Sequence, residues 1–350
     1  MRVLLAMDRL FPPQRSGGIE SSVHDMANAL LRYDVEVAVL CRLYPYDAFG
    51  LGLLMKRAVL GGRVRPYMFG NGYPLYRALV MRHDLLRVLG DFVPDVAVFQ
   101  GSGRYDLGAL LQNHGVPTVL HVRDVEFKHP RLDFTPRKVI ANSSFTANCF
   151  EKRYGIQPTV IHNIFDETAY RVDALGDRVV FINPVKKKGL EIALALARDN
   201  PMIPFLFVEG WPQGKKAFAR LKDLVSEFPN IELWRRQNDM RCVYAKARVV
   251  LVPSQCDEAW GRVVSEAHVS GIPVLASDRG GIPEALGNGG LLLPPDDVAC
   301  WNSALRKVWD TPEYWAALSR AALAHADRSA LKVETIMDQL MQTLVSASHG

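Results

Sequence analysis

Two glutamates with a fixed spacing are the residues whose types point most directly to chemistry. Glu258 and Glu266 are separated by seven residues and follow an apolar segment at 249–252 that is typical of a buried strand. This order places Glu258 on the loop after the strand and Glu266 in the next helix. Carboxylate oxygens accept hydrogen bonds from diols, and a helix that begins near Gly261 has free first amides suited to a phosphate. The pair favours a partner with hydroxyls or phosphate, against the alternative of two solvated carboxylates.

Two further loops carry groups suited to an anion. The run Lys186–Lys188 and Gly189 follow an apolar segment at 179–182, and Gly17 with Gly18 stands where a loop enters a helix. Glycine lets the backbone approach a ligand, and a helix amino terminus favours negative charge. A solvated lysine run and an ordinary helix-entry turn are the alternatives.

The elements around these loops alternate between strand and helix. Apolar segments at 3–7 and 35–40 flank a helical pattern at 19–31, which is the βαβ unit of a parallel sheet. The alternation stops at a polar stretch, 166–177, and then restarts. We predict an α/β fold of two facing Rossmann-like domains, with ligands bound at the carboxyl ends of the strands in an interdomain cleft. The predicted domains are 1–168 and 169–330, followed by a C-terminal helix, 331–350, that packs back towards the N-terminal domain.

Length and charge agree with this organisation. The chain has 350 residues, of which 49% are hydrophobic and 23% charged, which excludes intrinsic disorder and fibrous folds. The net charge of +5 originates in residues 1–165, which carry 20 basic and 14 acidic side chains. Nucleic acid, an anionic membrane or an anionic small ligand would each account for the excess.

Cysteine usage and hydropathy indicate the compartment. The five cysteines are scattered without a CxxC pair, which argues for a reducing compartment and against a zinc site or disulfide framework. The apolar runs are too short for a membrane-spanning helix or a secretory signal. We expect a cytoplasmic protein without a metal or other cofactor.

Several motifs, in order, resemble the nucleotide-sugar site of the retaining glycosyltransferases of family 4 (group 1), which have the GT-B fold. They are Gly17-Gly18-Ile19-Glu20, Pro253-Ser254, the pair Glu258 and Glu266, Gly271-Ile272-Pro273, and Gly280-Gly281-Ile282-Pro283-Glu284. The resemblance implies metal-independent transfer of a sugar from a UDP- or GDP-sugar to a carbohydrate, lipid-linked or natural-product hydroxyl. It assigns the acceptor to the N-terminal domain and the nucleotide sugar to the C-terminal domain.

The resemblance also implies roles for single residues. Glu266 binds the nucleotide ribose, and Glu258 binds the hydroxyls of the donor sugar. His121, at the end of an apolar strand at 118–122, contacts the same sugar. With Lys188, which stabilises the departing diphosphate, Glu258 and His121 are the predicted catalytic residues.

The phosphate loop departs from the family at one position. The family's Arg, five residues before Lys188, is replaced by Asn183, which carries no charge. The positive charge is expected from Lys186, Lys187 or Arg262. The full set of predicted donor-binding residues is Glu266, Arg262, Asn183, Gly17, Gly18, Gly261, Val263, Trp234 and Arg235.

The segment 51–90 is basic, with seven Lys and Arg against Asp84 alone, and aromatic residues are dense from Tyr44 to Tyr76. It is either an acceptor-side surface for sugar rings, phosphate or membrane lipid, or a solvated pair of basic helices. We expect an acceptor and peripheral contact with an anionic membrane, and no nucleic acid. Two alternative functions stay open: a nucleotide-sugar epimerase on the same fold, and a non-enzymic binder of nucleic acid or an anionic surface through this segment.

Overall fold

The computed structural model describes residues 1–59, 66–70, 72–101, 106–164, 166–173, 176–211 and 213–349. The chain divides into two compact units. Unit 1 comprises Met1–Phe165 with Val333–Gly350, and unit 2 comprises Asp166–Lys332. Each unit has its own sheet and its own hydrophobic clusters, as independent domains do.

Unit 1 is built on a sheet whose neighbouring strands are parallel, except for one antiparallel pair at its edge. The strands are β1 (Arg2–Leu10), β2 (Glu36–Arg42), β3 (Tyr67–Phe69), β4 (Tyr73–Ala78), β5 (Val96–Gly101), β6 (Thr118–Val122), β7 (Lys138–Ala141) and β8 (Thr159–Val160). Their spatial order is β3-β4-β2-β1-β5-β6-β7-β8, and β3 pairs with β4 antiparallel. The helices are α1 (Gly18–Arg32), α2 (Ala48–Val59), α3 (Met81–Phe92), α4 (Asp106–Asn113) and α5 (Ser144–Tyr154).

Strand β1, in the middle of the sheet of unit 1, buries both of its faces over residues 3–7. Along β1, Val3 and Met7 line one hydrophobic cluster, whereas Leu4 and Ala6 line the other. A continuous apolar strand of this kind is typical of a parallel sheet covered by helices on both sides. Because the helices occupy the faces, the loops at the carboxyl ends of the strands are left for ligands.

Unit 2 repeats the alternation with a smaller sheet. Its elements are β9 (Arg178–Ile182), α6 (Leu190–Asp199), β10 (Phe205–Val208), α7 (Lys215–Val225), β11 (Ile231–Trp234), α8 (Arg241–Tyr244), β12 (Ala247–Val252), α9 (Arg262–His268), β13 (Val274–Ser277), α10 (Ile282–Leu286), β14 (Gly290–Leu293), α11 (Val298–Asp310) and α12 (Pro312–Ala326). The strands are parallel in the order β11-β10-β9-β12-β13-β14. The order reverses between β9 and β12, and open parallel sheets bind ligands at such a reversal.

The last helix, α13 (Val333–His349), belongs to unit 1 although it follows unit 2 in the chain. Its Ile336, Met337 and Leu340 are buried in the same cluster as Val23 and Met26 of α1. The spacing of these residues on α13 is that of one helix face. This face therefore completes the core of unit 1.

The predicted α/β fold with two parallel sheets is confirmed. The segment 51–90 differs from a pair of helices, because β3 and β4 lie between α2 and α3. Strand β4 pairs with β2, and its Arg77 is buried rather than solvated: the guanidinium donates to the carbonyl oxygen of Phe11 at 3.2 Å. No helix in the described part of the chain is long and apolar enough to cross a membrane.

Candidate active site

The loops after β9 and β12 meet at the point where the strand order of unit 2 reverses. A 3₁₀ turn at Lys186–Lys188 ends at Gly189, whose φ of 85° is left-handed. A Cβ on Gly189 would overlap the carbonyl oxygen of Pro253, so only glycine lets the first loop pack on the second. Gln255 N then donates to Lys187 O at 2.9 Å. The two loops are thereby held as one structure.

Lys188 and Glu258 form an ion pair across these two loops. The Lys188 ammonium donates to Glu258 Oε1, and Ser254 Oγ donates to the same oxygen at 2.5 Å. Both charged side chains are only 19% exposed, so the pair is partly shielded from water. The arrangement places a fixed cation and a fixed acceptor side by side at the carboxyl edge of the sheet.

The Gly280-Gly281 turn fixes the backbone of Glu258. Gly281 N donates to the Glu258 carbonyl oxygen at 2.7 Å. A Cβ on Gly280 would overlap that oxygen, and one on Gly281 would lie 2.6 Å from the carbonyl oxygen of Ala259. The turn thus provides a close backbone support for the loop that carries the carboxylate.

Glu266 is held by two donors inside unit 2. Arg262 Nε donates to Oε1 at 2.8 Å, and the Tyr244 hydroxyl donates to Oε2 at 2.7 Å. Burial, and then the charge of Glu266, raise the pKa of Tyr244 well above its usual range, so its hydroxyl stays protonated. Arg262 also donates to the Tyr170 hydroxyl at 2.9 Å. The Glu266 carboxylate therefore has a defined orientation.

The predicted helix start near Gly261 is confirmed, because Gly261 is the N-cap of α9. Val263 lies in the first turn and packs partly against the hydrophobic cluster of unit 2 that contains Trp260. Arg262, which lies between Gly261 and Val263 in the chain, forms its ion pair with Glu266 one turn further along α9.

Asn183, in place of the family's Arg, is engaged with the protein. It is buried with φ of 63°, and its Oδ1 accepts from Trp211 N at 3.1 Å. A Cβ on Gly210 would overlap the Asn183 amide, so the loop after β10 is closely packed on this side chain. Asn183 consequently joins the loops after β9 and β10.

The lysines of the run differ in their surroundings. Lys186 pairs with the exposed Glu191 at 3.5 Å, and Lys187 Nζ lies 5.7 Å from the centre of the Trp211 ring. Of the three, Lys188 is the one that faces Glu258.

Trp234 and Arg235 lie at the end of β11, on the edge of the sheet. Trp234 Nε1 donates to Glu232 Oε1 at 2.5 Å. The Arg235 guanidinium lies 3.4 Å from the centre of the Phe218 ring and pairs with the buried Glu209 at 3.5 Å. These two residues thus belong to a cluster that is separate from the ion pair of Lys188.

Gly17 and Gly18 stand at the amino end of α1, in unit 1. A Cβ on Gly17 would lie 2.9 Å from Glu20 Oε2, whereas the Cβ position of Gly18 faces open space. Glu20 is buried and pairs with Arg9 and Arg15, each at 3.3 Å. The acidic residue of this turn is therefore neutralised within unit 1.

His121, also in unit 1, is buried near the end of β6. Arg123 Nε donates to His121 Nε2 at 3.0 Å. Burial, and then the charge of Arg123, lower the pKa of His121 well below its usual value, so the ring is neutral near pH 7. Asp124, three residues further along the chain, accepts from Glu126 N at 3.0 Å in a local turn.

Three residues that support the site were not among the predicted site residues. Ser254 was quoted only as part of a motif, although its place shortly after a strand is a signal for a site residue. Tyr244 and Tyr170 lie in unremarkable helical and turn sequence, and only tertiary structure brings them to Glu266 and Arg262.

In the part of the chain that the structure describes, no group of three or more His, Cys, Asp and Glu side chains could hold a metal ion. Two of the ion pairs among the predicted site residues of unit 2 join Lys188 to Glu258 and Arg262 to Glu266.

Two doubly covered α/β units, with charged loops at a strand-order reversal, define a protein of the GT-B class. HepE of Anabaena, solved in complex with UDP-glucose, superposes with a TM-score of 0.76 over 99% of this chain and 100% of that chain, at 20% identity. This similarity shows the fold.

The sequence profile described as Glycosyl transferases group 1 matches residues 178–311, and that of Glycosyltransferase Family 4 matches residues 16–169. The chain belongs to the group 1, family 4 glycosyltransferases. It is 45% identical over 161 residues to D-inositol 3-phosphate glycosyltransferase of Saccharomonospora viridis, covering 42% of this chain and 37% of that protein. It is 32% identical over 240 residues to the enzyme of the same name from Segniliparus rotundus, covering 61% and 53%. The matches thus span about half, or less, of these relatives.

Proposed function

We propose that the protein transfers a sugar from a nucleoside-diphosphate sugar to a hydroxyl acceptor, with retention of anomeric configuration. The observation that carries the proposal is the Lys188–Glu258 pair, supported by Ser254, at the strand-order reversal of unit 2. Family membership and the UDP-glucose complex of HepE support a nucleotide sugar as donor. The curated relatives, which include an O-antigen chain mannosyltransferase from Salmonella typhimurium, support a polyhydroxylated acceptor.

Lys188 is assigned to the diphosphate. An ammonium has three N–H donors, so Lys188 can hold Glu258 with one and a phosphate oxygen with another. As the bond between the sugar and the diphosphate breaks, negative charge grows on the phosphate oxygen. A cation already held in place stabilises that charge without reorganisation. Arg262 and the first amides of α9 are proposed to assist in the role that a metal ion has in other transferases.

The two glutamates are assigned to hydroxyl groups of the donor. Glu258 Oε1 is occupied by Lys188 and Ser254, and its backbone is fixed by Gly281. This leaves the other carboxylate oxygen for the donor sugar. Glu266 is oriented by Tyr244 and Arg262, and its carboxylate is assigned to the ribose as a hydrogen-bond acceptor.

The proposed reaction is a front-face displacement. The bond from the anomeric carbon to the diphosphate oxygen breaks, and the acceptor oxygen forms its bond to the same face of the sugar. The acceptor proton passes to the departing phosphate oxygen, so no protein nucleophile or base is consumed. The charge-assisted hydrogen bonds assigned to Lys188 and the departing phosphate contribute about 1.5 to 3 kcal/mol each.

Calorimetry against UDP-, GDP-, ADP- and dTDP-sugars tests the proposal. One donor should bind, and Lys188→Ala should weaken its binding, whereas the control Lys222→Ala, at an exposed lysine on α7, should not. Equal affinity of both variants for every donor contradicts the site. Product analysis with donor alone separates transfer from epimerisation, because an epimerase converts the donor without an acceptor.

We also propose peripheral contact with an anionic membrane through α2. Leu51, Met55 and Val59 follow each other at intervals of four and are 51%, 66% and 86% exposed, and Lys56 beside them is exposed. One exposed apolar stripe with a cation suits a helix that lies in the membrane interface. The protein should bind to phosphatidylglycerol vesicles. Met55→Asp should abolish this binding, whereas the control Leu323→Asp on α12 should retain it. Equal binding to phosphatidylcholine vesicles, or to neither, contradicts this contact.

A further inference from the structure

The segment 166–173, where the chain enters unit 2, is folded onto helix α9. A 3₁₀ turn, Glu167–Ala169, opens the segment and ends at Tyr170. Tyr170 and Val172 then pack against the hydrophobic cluster that contains Val264 of α9. The partial burial of these two side chains gives the segment a defined place on unit 2.

A second attachment of the segment is made by Ser270, two residues after the end of α9. Val172 N donates to Ser270 Oγ at 2.9 Å, and Ser270 Oγ donates to the Tyr170 carbonyl oxygen at 3.5 Å. A hydroxyl group has one donor and two lone pairs, so Ser270 can make both bonds at once. The segment is therefore held by its backbone as well as by its side chains.

The Tyr170 side chain contacts the group that orients Glu266. The Tyr170 hydroxyl accepts from Arg262 Nη2 at 2.9 Å, and the guanidinium carbon lies 5.5 Å from the centre of the Tyr170 ring. Arg262 Nε donates to Glu266 Oε1 at 2.8 Å. The Arg262 and Glu266 side chains are only 14% and 9% exposed, so this ion pair is shielded from water. One guanidinium thus bonds to the segment and to the carboxylate.

Tyr170 also contacts the second donor to this carboxylate. The Tyr244 hydroxyl donates to Glu266 Oε2 at 2.7 Å, and the Tyr244 ring packs edge-on against the Tyr170 ring, with centres 6.2 Å apart. An arginine side chain has many rotamers, and fixing one of them costs conformational entropy. A tyrosine that holds the planar guanidinium at one end limits those rotamers before a ligand binds. The orientation of Glu266 therefore depends on Tyr170 through both donors.

We propose that Tyr170 is a positioning residue for the donor nucleotide and couples nucleotide affinity to the docking of segment 166–173. It acts through Arg262 and Tyr244 on the orientation of Glu266. Because coupling between two equilibria is reciprocal, a nucleotide bound at Glu266 in turn stabilises the docked segment. The inference rests on the proposed function in assigning Glu266 to the ribose of the donor.

Calorimetry of the full chain with UDP, GDP and ADP, each compared with its 2′,3′-dideoxy analogue, tests the positioning role. Tyr170→Phe keeps the ring and removes the hydroxyl that accepts from Arg262. It should weaken binding of the nucleotide about three- to tenfold, the effect of one hydrogen bond in part replaced by water. Affinity for the dideoxy analogue should hardly change, because that analogue has no ribose hydroxyl for Glu266. The matched control is Arg171→Ala, which removes an exposed ion pair with Glu167 from the same segment and should retain both affinities.

Hydrogen–deuterium exchange of the backbone amides tests the coupling without any need for activity. The nucleotide that binds should slow exchange in segment 166–173 of the wild type, and Tyr170→Phe should exchange faster there and gain less protection. Ser270→Ala removes the acceptor of Val172 N and keeps Tyr170 and Arg262. This second variant should also exchange faster in the segment, and should bind the nucleotide about two- to threefold more weakly.

Equal losses of affinity for the nucleotide and for its dideoxy analogue in Tyr170→Phe would reduce Tyr170 to a structural role and overturn the proposal. Exchange in segment 166–173 that the bound nucleotide leaves unchanged overturns the coupling. Nucleotide binding that Lys188→Ala weakens and Tyr170→Phe does not contradicts this inference alone. A wild type that binds none of the three nucleotides contradicts the proposed function, and exchange in the free Tyr170→Phe chain then still decides whether the hydroxyl docks the segment.

Discussion

Gly189 and Pro253 are packed so closely that a Cβ on Gly189 would overlap the Pro253 carbonyl oxygen. This contact joins the loop that carries Lys188 to the loop that carries Ser254 and Glu258. The ion pair across the loops is therefore supported by a backbone contact that only glycine permits. The contribution of this contact to stability can be measured separately from the conformational cost of placing a residue with a side chain at a left-handed backbone angle.

Gly189→Ala should destabilise the protein by about 2 to 4 kcal/mol and weaken donor binding, because the added Cβ forces the two loops apart. Gly155 is a matched control, since its φ of 69° and ψ of 15° lie in the same left-handed region as the 85° and 34° of Gly189 but its Cβ position is open. Gly155→Ala should cost only the backbone strain, about 1 kcal/mol. Urea unfolding measures both, and equal losses in the two variants would show that the contact with Pro253 contributes nothing.

Much of the fold could be predicted because it depends on local patterns. The apolar strands and the alternation with helices specify two parallel sheets, and the strand ends specify where Lys188, Glu258 and His121 lie. Strands β3 and β4 were missed because their pairing depends on β2, a long-range contact between Val39 and Leu75. The partners of the site residues depend on the same kind of contact. Tyr244 lies on a short helix and donates to Glu266, and nothing in the sequence around Tyr244 predicts this contact.

Tyr244→Phe should weaken donor binding about three- to tenfold with little loss of fold stability. The substitution removes the hydroxyl that donates to Glu266 Oε2 at 2.7 Å but keeps the ring that fills the core. A hydrogen bond to a charged group contributes about 1.5 to 3 kcal/mol, part of which the freed carboxylate regains from water or ligand. Calorimetry with the donor and urea unfolding measure the two effects. Unchanged affinity would show that Tyr244 does not orient Glu266 for the ribose.

Asn183→Arg, which introduces the residue of the family pattern, should lower stability and fail to tighten donor binding. The left-handed φ of 63° favours Asn, and the side chain is buried against Gly210, where an Arg has no room. The loop after β10 would also lose its bond from Trp211 N. Asn183→Asp is the matched variant, because it keeps the size and the acceptor. Tighter donor binding by Asn183→Arg at unchanged stability would contradict this account of the position.

Stability should fall with acidity because of His268, which is buried in unit 2 beside His325, with ring centres 5.8 Å apart. Burial, and then the charges of its neighbours, lower the pKa of His268 to about 3. The unfolded state, with its ordinary pKa near 6.5, binds the proton first, so folding stability is fully present above pH 6.5 and is lost as the pH falls towards 3.

Below pH 6.5 the protonation of His268 in the unfolded state should lower the free energy of unfolding by about 1.4 kcal/mol per pH unit, or by about 2 kcal/mol at pH 5. Urea unfolding of wild type and His268→Leu from pH 7.5 to pH 5 isolates it, because the variant should lose that part of the slope even if its stability at pH 7.5 is lower. His114→Leu, at an exposed histidine on the loop after α4, is the control and should retain the wild-type slope. A slope in His268→Leu as steep as in wild type would assign the acid sensitivity to other groups.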